Sequence, residues 1–230
     1  MHVRSLSTDG QLTSVQQDFD HSMRRPSGAA MRTRATQADR SARSRTALLE
    51  SAARGLSRHG YGHLKLEQVA REAGYTRGAL YHQFKDKQDL ALAVCAWFRE
   101  TYWHEVARHV EQEPEPVAAL LTLARGHAVF CRRDVARVPI ALRLEFSGQD
   151  HPVGREVERN YETLLTRCAG LIDAGRAAGT IPPGRPTRAL ALAFVGALEG
   201  TVIALAGQAP DDELFAARAV AGVLGLAPPP

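Results

Sequence analysis

Apolar residues recur at helical spacing along most of this 230-residue chain, and nowhere do they alternate with the period of two that a half-buried strand needs. The longest run is Val153, Val157, Tyr161, Leu164, Leu165, Cys168, Leu171 and Ile172, a period of about 3.6 residues. Leu48, Leu49, Ala52, Ala53 and Leu56 form a similar stripe that starts from about Ser41 and ends at Gly60 and Gly62. Together the stripes predict an all-α fold of about nine helices. After the first come a short helix over Leu66–Glu72, one capped by Thr76 and closed by Phe84, and one capped by Asp86 with Asp89 three residues on. That fourth helix carries two stripes, Leu90, Val94, Trp97, Phe98 and Thr101, then Tyr102, Val106 and Val110. Further helices are expected over Val117–Arg132, Val135–Phe146, from Val153 to Gly179, over Thr187–Ala206 and over Asp211–Leu224. Asp211, Asp212 and Glu213 suit the last start, where the helix dipole favours negative charge.

Composition narrows the classes. Cys95, Cys131 and Cys168 are too few and too scattered for a disulfide framework, and none sits in a CxxC pair. That points to a reducing compartment, the cytoplasm. The longest apolar run, Ala189–Gly207, is interrupted by Glu199 and Gly200. A membrane span would carry that carboxylate at a cost of roughly 2.5–3.5 kcal/mol, so a buried soluble helix is the expectation. Met1–Gly10 lacks the apolar run of a signal peptide. Charge is uneven. Residues 1–90 hold 15 Lys/Arg against 9 Asp/Glu, while residues 91–230 hold 14 against 16. Residues 1–40 show no periodicity and read as a disordered basic tail, with Arg24, Arg25, Arg32, Arg34 and Arg40 near its end and Met31 as a second possible start. The tail is either a solvated extension or an arm along a DNA backbone.

The stretch KLEQVAREAGYTRGALYHQF, Lys65–Phe84, has the spacing of a helix-turn-helix. Its first helix needs a small residue where the second packs close, supplied by Ala70. The turn needs a residue free to take positive φ, supplied by Gly74. The second helix needs an apolar lock, supplied by Leu80. Leu66, Val69 and Phe84 complete the apolar core of the motif. The second helix would lie in the major groove with its N-terminal residues toward base edges.

This stretch, with Lys85, Asp86, Lys87, Gln88, Asp89 and Leu90 after it and the Leu48–Gly60 helix before it, resembles the DNA-binding domain of TetR-type (tetracycline-repressor-like) transcriptional regulators over about residues 43–100. The resemblance implies a helix-turn-helix DNA-binding domain over residues 41–90, followed by a helical effector-binding and dimerisation domain over residues 91–230. It also implies a cytoplasmic homodimer on double-stranded, palindromic operator DNA, acting as a repressor that a small-molecule effector releases. The family places Thr or Ser at the start of the second helix, where Leu64 and Lys65 stand here. Lys65 keeps a charge for phosphate but loses the cap. Arg77 suits either a bidentate bond to guanine or a phosphate contact. Gly78 sits inside a helix, where a Cβ would meet either DNA or a neighbouring helix. Tyr81 matches the family's phosphate-contacting tyrosine. His82 contacts phosphate or base, or is solvated. Lys87 lies in a helix's first turn, whose free N–H groups and the ammonium make an anion site.

Ala189, Ala193, Gly196, Ala197 and Gly200 form a ridge of small residues at helical spacing, suited to close helix contact between subunits. Trp97, Phe98, Tyr102, Trp103, His127, Phe130, Arg143, Phe146 and Tyr161 are candidates for an effector pocket. No catalytic residue, cofactor motif or metal site is read: GxSxG, P-loop and GxGxxG patterns are absent, and His104 and His109 stand five apart rather than the four of a zincin. Two other functions remain compatible with the motif. One is an effector-independent DNA-binding activator or architectural protein; the other is a helical small-molecule-binding protein or enzyme with a vestigial helix-turn-helix.

Overall fold

Helix α1, Gln37–His59, begins earlier than its apolar stripe. Thr36 Oγ1 accepts from the Asp39 N–H at 3.1 Å, and Asp39 Oδ2 accepts from the Thr36 N–H at 2.9 Å, a reciprocal cap that starts the helix among polar residues. This corrects the expected tail: residues 37–40 are helical. The computed structural model describes residues 36–227 and residue 229, so the rest of that tail lies outside the described residues.

Among the described residues there are nine helices and no strand. After α1 come α2 (Leu66–Glu72), α3 (Arg77–Gln83) and α4 (Lys87–Tyr102). Helix α4 passes through a π-helical stretch, Trp103–Ala107, into one more turn, Arg108–Val110. Then follow α5 (Pro116–Phe130), α6 (Val138–Glu145), α7 (Pro152–Ala177), α8 (Thr187–Leu205) and α9 (Asp211–Val223). The expected helix over Val135–Phe146 is divided: Asp134–Arg137 is a 3₁₀ turn, and Pro139, which has no N–H to give, sits in the first turn of α6.

The two stripes of α4 serve two clusters: Leu90, Val94 and Trp97 face one, and Phe98, Tyr102 and Val106 the other. The π stretch begins only after this change of face, and its wider turn takes in an extra residue. It also weakens one ground for refusing a metal site, because residues five apart lie one above the other across a π turn. Among the described residues no three His, Cys, Asp or Glu side chains are grouped to hold a metal.

Two apolar clusters organise the chain. The first joins α1, α2, α3 and the first half of α4 to Val138, Leu142 and Phe146 of the α6 region and Val153 and Val157 of α7. The second joins Val106 to α5, α7, α8 and α9. Ser51, fully buried in α1, donates to the Val69 carbonyl at 3.0 Å and ties α1 to α2. At the other end Arg132 holds the buried Asp212 with two bonds, at 2.9 and 2.8 Å, and fixes the start of α9 to the end of α5. The guanidinium keeps the Asp212 carboxyl below its ordinary range.

Helix α8 is long and apolar enough to cross a membrane by length and composition, with mean hydropathy 1.7, yet only 28% of that stretch is buried. The expectation of a buried helix is therefore corrected. Phe194, Val195 and Leu198 enter the core, while Ala189, Leu192, Ala193, Gly196, Gly200 and Ile203 face outward.

Candidate nucleic-acid interface

Helices α2 and α3 meet around Ala70 and Leu80, exposed by 1% and 0%. Gly74 turns the chain between them at φ +78°, with open space around its Cα, so its role is conformational. Thr76 caps α3 by accepting from the Ala79 N–H at 3.2 Å. Val69 and Phe84 are buried and Leu66 is half-buried, as the motif requires. At the head of α2, Lys65 is exposed and makes no side-chain cap bond.

With that core filled, the other face of α3 is bare. Thr76, Arg77, Gly78, Tyr81 and His82 are all exposed. Arg77 pairs with Glu67 of α2 at 3.1 Å, and its guanidinium lies 5.3 Å from the Tyr81 ring centroid. The pair is solvated on both sides and easily exchanged for another anion. A Cβ on Gly78 would meet only Thr76 Oγ1, at 3.8 Å. No neighbouring helix crowds the position, which removes that explanation for a glycine inside a helix.

Several positioning groups carried no periodic signal. Arg45 of α1 donates to the Gln83 carbonyl at 3.2 Å and lies 4.5 Å over the Phe84 ring, while the Gln83 amide donates to Ser41 Oγ at 3.0 Å. These bonds hold the end of α3 against α1. Lys87 is drawn inward: its Nζ donates to the Gly62 carbonyl at 2.9 Å and sits 4.6 Å over the Tyr61 ring.

The candidate effector residues divide into four places. Tyr102, His127, Phe130 and Phe98 pack together, with ring centroids 5.2–5.8 Å apart for Tyr102 against Phe130 and His127. The Tyr102 hydroxyl meets His127 Nδ1 at 3.2 Å, and Cys131 Sγ meets Nε2 at 3.5 Å. A neutral ring, one nitrogen accepting and one donating, suits both neighbours. Burial lowers the His127 pKa to about 4 and pushes the thiols of Cys95, Cys131 and Cys168 up to about 12. Arg143 lies apart from that group, 3.4 Å over the Tyr161 ring and bonded to Glu158 at 3.0 Å. Trp103 pairs with Arg167. Trp97 and Phe146 do not join any of these: both pack in the cluster that includes α1–α3. A cleft of about 310 Å³, lined by Glu105, Val106, His109, Arg125 and Phe130 among others, opens beside the π stretch.

Residues 48–94 match the family described as bacterial regulatory proteins, tetR family. The chain is 38% identical over 152 residues to the HTH-type transcriptional repressor AcnR of Corynebacterium glutamicum, covering 63% of this chain and 74% of the relative. In fold it is similar to AibR, solved with isovaleryl coenzyme A and operator DNA (TM-score 0.63, 21% identity, 81% of this chain and 99% of AibR). It is also similar to FadR of Bacillus subtilis, solved with stearoyl-CoA (TM-score 0.65, 16% identity, 78% and 97%). With residues 48–94, the helix-turn-helix among them, matched to the family and three quarters of a repressor's length aligned at 38% identity, the chain belongs to the tetR family of bacterial regulatory proteins.

Proposed function

We propose that this protein is a cytoplasmic, dimeric repressor that binds a palindromic operator through α3 and is released by a small molecule. The carrying observation is the bare face of α3, where Arg77, Gly78, Tyr81 and His82 are exposed while Leu80 and Phe84 on the opposite face are buried. That is the arrangement of a helix made to enter a groove. An intact reading face argues against a vestigial motif on an enzyme. Lys65, Thr76 and Lys87 are assigned to phosphate. In this reading residues 41–90 form the DNA-binding part and residues 91–230 the effector and dimer part.

Dimerisation is assigned to α8 and α9. The ridge of Ala189, Ala193, Gly196 and Gly200 is exposed, with nothing within 4 Å of a Cβ on either glycine. Ala197 is half-buried against the core. Leu192, Ile203 and, on α9, Phe215 stand exposed beside these small residues, which is costly unless a second subunit covers them. The effector is assigned to the Tyr102–His127–Phe130 group, reached from the cleft past Phe130. The relatives AibR and FadR were solved with acyl-coenzyme A molecules, which makes acyl thioesters the first compounds to try.

A gel shift with the DNA upstream of the protein's own gene tests the reading. A shift at low salt, reversed by an effector, is expected; no shift on any palindromic fragment would sink it. Arg77→Ala should cost about 1–3 kcal/mol of discrimination at one base pair if Arg77 bonds guanine. An equal loss on specific and random DNA would make it a phosphate contact. Gly78→Ala should raise thermal stability, by about 1 kcal/mol of helix propensity, and weaken operator binding. Unchanged binding would show that DNA does not approach this position.

A further inference from the structure

The turn after α1 is gripped from the body. Glu145, the last residue of α6, accepts from the Tyr61 N–H at 2.5 Å with one carboxylate oxygen and from the Gly62 N–H at 2.6 Å with the other. Gly60 is shaped for this grip. Its φ is +72°, and a Cβ there would stand 2.5 Å from Glu145 Oε2. The Tyr61 ring packs on Phe146 and His151, centroids 5.3 and 5.0 Å away. On its other side the same turn receives Lys87, whose ammonium donates to the Gly62 carbonyl. Gly62 thus has its N–H on a body carboxylate and its C=O on the lysine at the head of α4.

We propose that Glu145 is a positioning residue for DNA binding: it sets the Gly62 carbonyl that aims Lys87, and with it the head of α4, at a phosphate. The inference rests on the reading of Lys87 as a phosphate contact. It has a sign that simple electrostatics does not share. Glu145 is a negative charge one peptide group away from a DNA-contacting lysine, so removing the charge alone would tighten binding to a polyanion. If Glu145 aims Lys87, removing it weakens binding.

The contact is to phosphate, so a random-sequence duplex of about 30 base pairs suffices as probe, with affinity of the full chain measured against salt. Lys87→Ala should lower the slope of log K against log salt by about 0.9. Glu145→Gln keeps the shape but sets an amide group against one N–H; it should weaken binding roughly tenfold and lose a comparable part of the slope. Glu145→Asp retains the charge without the reach, and should also weaken binding. In the Lys87→Ala background neither change should cost anything further. Tighter or unchanged binding by both Glu145 variants, or losses that add to that of Lys87→Ala, would overturn the inference while leaving Lys87 as a phosphate contact. An unchanged slope for Lys87→Ala would remove that contact, and the inference with it. Thermal melts of each variant identify any that does not fold, and the Glu145→Asp result then decides.

Discussion

Phe84→Ala should destabilise the protein by about 3–5 kcal/mol, lowering the melting temperature by roughly 6–20 °C for a chain of this size, and should abolish DNA binding well below the new midpoint. Phe84 is 1% exposed and closes the helix-turn-helix at the end of α3. Its ring shares a cluster with Leu48, Leu80 and Leu90 of three different helices. Truncation leaves a cavity under α3 and removes the surface on which Arg45 rests. Because the same cluster runs on into Leu142 and Val153, the loss should be felt in the global transition as well as at the reading helix. Calorimetry and DNA titration on the one variant check both parts. A variant that melts like the parent would mean that the site relaxes around the gap.

Acid should expose the neutral state of His127. Its folded pKa, about 4, lies below the 6.5 of the free side chain, so between those values the unfolded chain binds more protons. Stability contributed by the neutral ring is full above pH 6.5 and is lost as pH falls toward 4, by about 3 kcal/mol at most. Glu199 works against this trend: burial raises its carboxyl pKa, which favours the folded state as pH falls through the same region. The difference between the parent and His127→Gln isolates the histidine. That difference should shrink steadily from neutral pH to pH 4. A difference independent of pH would mean that His127 is free to protonate in the folded protein.

The recognition motif was legible because its requirements are local. Gly74 at positive φ, Thr76 as a cap and Leu80 as a lock are each forced by a turn or two of backbone. Helix existence was legible for the same reason, through stripes such as Val153 to Ile172. The contacts that aim the motif were not. Glu145 meets Tyr61 and Gly62 across more than eighty residues, and the only hint was a pair of glycines that α1's end alone would not need. Aromatic content put Tyr102, His127 and Phe130, which pack together, into one candidate set with residues that lie elsewhere. It could not separate them from Trp97 and Phe146, which the fold spends on holding α1–α3 against the rest. On α8 the small-residue ridge was legible, but the outward placing of Leu192 and Ile203 was not, since an apolar residue reads the same whether it meets its own core or solvent.

The π stretch at Trp103–Ala107 divides α4 into two lengths that keep separate rotational registers. Tightening it into regular α-helix would expel one residue's worth of turn, rotating everything beyond it by about 100° and advancing it about 1.5 Å. Val106, which lines the adjoining cleft, lies within that stretch, and Lys87 lies about four turns upstream on the same rod. If the proposed effector enters by this cleft, it would press on the one place along α4 where the winding itself has a spare residue to give up.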